Sequence, residues 1–139
     1  MRDKLSVLKE YFGHDSFREG QDRITDSLLG GRDVLGIMPT GAGKSICYQV
    51  PALMFDGITI VVSPLISLMK DQVSALVQSG VAAAYINSSL THAQYLKVLQ
   101  NTESGKYKII YVAPERLCAP AFLGICRNLD ISMVAVDEA

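Results

Sequence analysis

Short runs of apolar, largely β-branched residues alternate along this chain with segments whose apolar positions recur three or four residues apart. The runs fall at 34–38, 58–63, 82–86, 108–112 and 131–136. Near-continuous hydrophobicity over so few residues suits strands buried on both faces. Helical segments are predicted between them. Leu5, Leu8 and Phe12 fall on one face of the first, and Ile24 and Leu28 line the second, which Gly30-Gly31 ends. Residues 45–53 form a third and 65–79 a fourth, stopped by Gly80. Thr91-x-x-Gln94 reads as a capping box that opens a fifth, and 120–128 is a short sixth. Strands alternating with helices predict an α/β domain of three layers around a mostly parallel sheet.

Composition fits a packed domain. The 139 residues are 49% hydrophobic and 19% charged, enough to build a core and far from a disordered composition. No apolar run reaches the ~18 residues that span a bilayer, and Met1-Arg2-Asp3-Lys4 leads into an amphipathic segment, not a signal peptide. The expectation is a cytoplasmic protein with no membrane partner, associated with the nucleoid if its source is bacterial. The net charge of −1 does not advertise nucleic acid, so any such site must be local or be completed by segments outside these residues. Cys47, Cys118 and Cys126 are odd in number and lack Cys-x-x-Cys spacing, so they read as small buried hydrophobes and not as a zinc or redox site.

The chemistry-bearing residues are two short motifs. Met38-Pro39-Thr40-Gly41-Ala42-Gly43-Lys44-Ser45 follows a predicted strand and precedes a predicted helix, the setting of a P-loop. Gly41 and Gly43 let the backbone come close to phosphate oxygens, and the N–H groups of Thr40 to Ser45 at a helix start make a concave anion site. Lys44 would reach the β- and γ-phosphates, and the Ser45 hydroxyl would ligate Mg²⁺. The strict pattern has glycine where this chain has Met38. The second motif is Asp137-Glu138, after the last predicted strand. Asp137 suits a hydrated Mg²⁺ and Glu138 suits orienting or deprotonating a water. By itself such a pair is as often a solvated turn, and the P-loop tips the reading toward a metal and water site.

These motifs resemble motifs I and II of superfamily 2 helicases. Phe12-Gly13-His14-Asp15-Ser16-Phe17-Arg18-Glu19-Gly20-Gln21 is similar to the N-terminal motif of the RecQ DNA helicase family. Val62-Ser63-Pro64-Leu65-Ile66-Ser67-Leu68-Met69-Lys70-Asp71-Gln72 resembles its motif Ia, and Tyr111-Val112-Ala113-Pro114-Glu115-Arg116 its motif Ib. The resemblance implies a P-loop NTPase fold of the RecA type, ATP and Mg²⁺ as cofactors, and single-stranded or forked DNA as partner in repair and recombination. It implies that Gln21 reads adenine, that Arg18 lies against the base or reaches the nucleotide, and that His14 stacks where a larger aromatic is common. It implies that Ser63, Ser67, Lys70 and Arg116 line the DNA path.

The resemblance also implies that the chain is the N-terminal portion of a first motor domain, cut within motif II. The histidine that would follow Ala139, motif III, the second motor domain, its arginine finger and the zinc-binding region lie outside these residues. The isolated chain is therefore expected to turn over ATP hardly at all and to unwind nothing. It is also expected to be marginal in stability, because the motif III strand would sit between the strands at 34–38 and 131–136. Two other functions are open to such motifs. An RNA helicase of the same superfamily is disfavoured by the Phe12-to-Gln21 block and by Ala113-Pro114-Glu115-Arg116. A non-catalytic nucleotide-binding module is disfavoured by the presence of both Lys44 and Glu138.

Overall fold

The computed structural model describes residues 3–38 and 43–138. Pro39, Thr40, Gly41 and Ala42, the first part of the expected phosphate cradle, lie outside the described residues. The chain divides into two compact units, Met1–Asp56 and Gly57–Ala139.

The first unit carries helices α1 (Lys4–Phe12), α2 (Gln21–Leu29) and α3 (Lys44–Met54). Asp3 caps α1: its carboxylate accepts from the Ser6 N–H at 2.7 Å, a bond that holds its pKa below the usual carboxylate value. Gly13 closes the helix at φ +71°. Val7 and Leu8 of α1 pack with Ile46 and Val50 of α3, and Tyr11, Phe12, Phe17, Leu53 and Met54 close around them. Leu5, assigned to the apolar stripe from the sequence, is exposed, and Val7 is buried instead. The Lys4 ammonium donates to Asp22 and to Asp26 (2.6 Å) of α2, binding the first two helices together.

One expectation fails here. Residues 34–38 form no strand; Leu35 and Ile37 are 80% and 89% exposed. A strand exists only where a neighbour supplies ladder hydrogen bonds, and β-branched composition cannot provide that neighbour. Gly36 lies against Ile24 of α2, and the Cys47 thiol donates to the Met38 sulfur at 3.5 Å.

The second unit holds a four-stranded sheet in the order β2 (Ala83–Ile86), β3 (Ile109–Val112), β1 (Ile58–Val62), β4 (Ile131–Val136), with every pair parallel. The intervening helices are α4 (Ile66–Gln78), α5 (His92–Glu103), α6 (Pro114–Leu117) and α7 (Pro120–Cys126). This is the mixed α/β architecture expected, with four described strands in place of five. Ile58, Ile60 and Val62 point into a core with Ile86, Ile110, Val112, Leu99 of α5 and Phe122 of α7. The alternate residues Thr59, Val61, Ile109 and Tyr111 are also fully buried, so β1 and β3 are covered on both faces. β4 is not: its burial alternates residue by residue, and Val134 and Val136, on one face, are more than half exposed.

Local signals hold well in this unit. Thr91 and Gln94 exchange the two bonds of a capping box, at 3.1 and 2.9 Å. Gly80, at φ +92°, follows α4. Gly57 is required by close approach: a Cβ there would lie 2.3 Å from the Asp130 carbonyl oxygen, and its N–H donates to the Ser132 hydroxyl at 2.8 Å. The cysteines divide: Cys47 is buried, Cys126 is half-buried, and Cys118 is exposed, against the expectation of a buried hydrophobe.

Candidate functional site

In the first unit Arg18 and Gln21, two of the expected nucleotide residues, lie beside Gly43 at the start of α3. Gly43 is its N-cap, in the left-handed region at φ +72°. Glycine is required there twice over, because a Cβ would also fall 2.5 Å from the Gln21 side-chain nitrogen. Lys44 and Ser45 occupy the first turn of α3, half-buried. Gln21 opens α2 and is 3% exposed. Its Oε1 accepts from the Arg18 N–H at 2.8 Å, and its Nε2 donates to the Gly43 carbonyl at 2.9 Å. The carboxamide thus latches the Phe12-to-Gln21 block onto Gly43, the N-cap of α3. Sequence reasoning assigned Gln21 to a base and did not foresee this contact, since 22 residues separate it from Gly43. His14 and Arg18 are exposed on the same unit.

In the second unit, parallel pairing carries every strand's carboxyl end to one edge of the sheet, where open α/β sheets bind ligands. Ser63 follows β1 and donates its N–H to the Val112 carbonyl; Ala113 follows β3 and donates to the Ile86 carbonyl. Asp137 follows β4, and its N–H donates to the Val62 carbonyl at 2.8 Å, so it is fixed beside the end of β1. Glu138 comes next with φ +61°, the one positive φ among described non-glycine residues.

The four candidate DNA residues differ in setting. Ser67 and Lys70 are exposed along the first turns of α4. Among the described residues no carboxylate pairs with Lys70, so Asp71 and Glu115 do not neutralise it. Ser63 is 1% exposed, and its hydroxyl accepts from the Leu65 N–H at 3.2 Å. It shapes the turn into α4 and presents no group at the surface. Arg116 is half-buried on α6, its guanidinium 5.3 Å from the centroid of the Tyr95 ring on α5. Tyr95 belongs to none of the motifs read from the sequence; only its place one residue after the capping box hinted at a fixed position.

The donor set bears on the metal. Among the described residues, no three His, Cys, Asp or Glu side chains converge on one point. Magnesium is commonly held by one or two carboxylates together with waters and substrate phosphates, and Asp137, a carboxylate just past the end of β4, is a donor of that kind.

Residues 18–139 match the model of the DEAD/DEAH box helicase family. The chain belongs to that family. It is 51% identical over 135 residues to the ATP-dependent DNA helicase RecQ of Bacillus subtilis (strain 168), covering 96% of this chain and 23% of that protein. It is 49% identical over 135 residues to the ATP-dependent DNA helicase RecQ of Pasteurella multocida (strain Pm70), covering 97% and 21%. The corresponding protein of Haemophilus influenzae is 48% identical over 135 residues, covering 97% and 22%. The chain thus spans roughly a fifth to a quarter of the length of these relatives. No described helix is long and apolar enough to cross a membrane.

Proposed function

We propose that this chain is the N-terminal part of the first motor domain of an ATP-dependent DNA helicase of the RecQ kind. The observation that carries the reading is near-50% identity to helicases so named along almost the whole chain, with the motif residues at loop and strand ends. In this reading the α3 N-terminus and Lys44 bind the terminal phosphates of ATP, and Ser45 and Asp137 hold Mg²⁺. The ion would neutralise charge building on the phosphates. Glu138 orients the attacking water and takes its proton. Gln21 and Arg18 read the adenine, with His14 beside them, and Gln21 fixes the phosphate loop as it does so.

DNA enters along the carboxyl edge of the sheet. Ser67, Lys70 and Arg116 contact the phosphate backbone, giving position and not sequence. Ser63, buried, acts by shaping the turn. Repair and recombination are the processes such an activity serves.

The test is Glu138→Gln in the full-length protein, with ATP binding, ATP turnover and strand separation measured on DNA and on RNA duplexes. Retained ATP binding with turnover reduced at least a hundredfold is the expected result. Undiminished turnover would overturn the assignment of Glu138. Preferential unwinding of RNA would overturn the choice of nucleic acid.

A further inference from the structure

We infer that Tyr95 is a positioning residue for DNA binding: its ring holds the Arg116 guanidinium in the orientation that meets a backbone phosphate. The inference rests on the reading of Arg116 as a DNA contact.

Three features carry it. The guanidinium lies over the Tyr95 ring at 5.3 Å, within the range of attraction between a cation and an aromatic face. Among the described residues Arg116 has no carboxylate partner, so the ring is what orders it. The ring itself is fixed. Tyr95 packs against the core of Ile86, Leu99 and Phe122, as does Leu117 next to Arg116, and the Tyr95 N–H donates to the Thr91 carbonyl within the capped first turn of α5.

The geometry leaves Arg116 available. A guanidinium stacks through its face and donates hydrogen bonds through its edges, in the plane. A ring 5.3 Å from the guanidinium takes up none of its N–H donors in a charge-paired hydrogen bond, and Arg116 keeps part of its surface exposed. An unrestrained Arg would lose rotamer freedom on binding, and part of that loss has already occurred in the stacked side chain. Pre-ordering cannot be worth more than the contact that produces it. A cation–π contact at a partly exposed site therefore limits the effect to about two- to fivefold in affinity.

The experiment is equilibrium binding of fluorescently labelled single-stranded DNA to the full-length protein without nucleotide, across a range of salt. Variants are Tyr95→Phe, Tyr95→Leu, Arg116→Ala, Arg116→Lys, and Tyr95→Leu combined with each Arg116 substitution. Arg116→Ala should weaken binding and lower the salt slope by about one. Tyr95→Leu should weaken it about two- to fivefold with the slope unchanged, while Tyr95→Phe binds as the parent. Tyr95→Leu should add nothing on top of Arg116→Ala. Arg116→Lys, which keeps the charge and most of the aliphatic stem of this half-buried residue, should cost affinity beside Tyr95 and much less beside Leu.

If Arg116→Ala binds DNA with undiminished affinity, the reading of Arg116 itself fails and takes the inference with it. If Arg116→Ala weakens binding but Tyr95→Leu does not, or the two losses multiply, the inference alone is overturned. Tyr95→Phe as weak as Tyr95→Leu would overturn it too, by showing that the hydroxyl and not the ring is what matters.

Discussion

Replacing Gln21 by Leu keeps most of the side-chain volume and removes both ends of the carboxamide that joins the Arg18 N–H to the Gly43 carbonyl. Two backbone groups lose partners, each bond contributing about 0.5–1.5 kcal/mol net. Arg18 is exposed and Gly43 half-buried, so water reaches the freed groups and the full desolvation penalty does not apply. The expected loss is about 1–2 kcal/mol, the lower part of the summed range. The protein has no tryptophan, so urea unfolding is followed by circular dichroism of the helices. With a slope of about 1–2 kcal/mol per molar for a domain of this size, the midpoint should fall by roughly 0.5–2 M. Gln21→Glu sharpens the test. Its carboxylate still accepts from Arg18 but sets an acceptor against the Gly43 carbonyl. It should be at least as destabilised at neutral pH, and should recover relative to the parent below about pH 4, where the protonated acid can donate again. A Gln21→Leu protein with the parent's midpoint would refute the latch.

Other outcomes follow from the same structure. Thr59 is fully buried in β1 with a hydroxyl that has no partner; Thr59→Val should stabilise by about 1 kcal/mol in urea unfolding, since an unsatisfied buried hydroxyl costs about that or more. The Asp22 bond, then the Asp26 bond, raise the Lys4 pKa above its ordinary value. Its contribution is therefore complete below about pH 10 and lost as pH rises through the raised value. All three groups are partly exposed, so Lys4→Met should cost about 0.5–1 kcal/mol at pH 8 and nothing at strongly alkaline pH; a loss equal at both would sink the ion-pair account. Burial raises the Cys47 and Cys126 thiols, Cys118 is exposed, and iodoacetamide followed by mass spectrometry should therefore label Cys118 first and Cys47 last.

What the sequence by itself determined is what depends on residues close along the chain. Thr91 and Gln94 cap α5 because each reaches the other across a single turn. Gly13 and Gly80, both at positive φ, mark where helices stop. The runs at 58–63, 82–86, 108–112 and 131–136 were legible as strands because short, mostly apolar runs suit a buried sheet, and each found a ladder partner there. The Gly-Lys-Ser and Asp-Glu motifs were legible for the same reason, since their chemistry is carried by adjacent residues. Tertiary structure decided everything that needed a partner from elsewhere. The run at 34–38 has a strand's composition and no ladder. Ser63 carries a hydroxyl fit for phosphate and is buried by the turn it makes. Gln21 meets Gly43, and Arg116 meets Tyr95, only once helices distant in sequence have packed. A side chain's local preference is fixed by its own covalent structure and its nearest few neighbours. Its hydrogen-bond partner, its exposure and its charge environment belong to whatever the rest of the fold brings alongside.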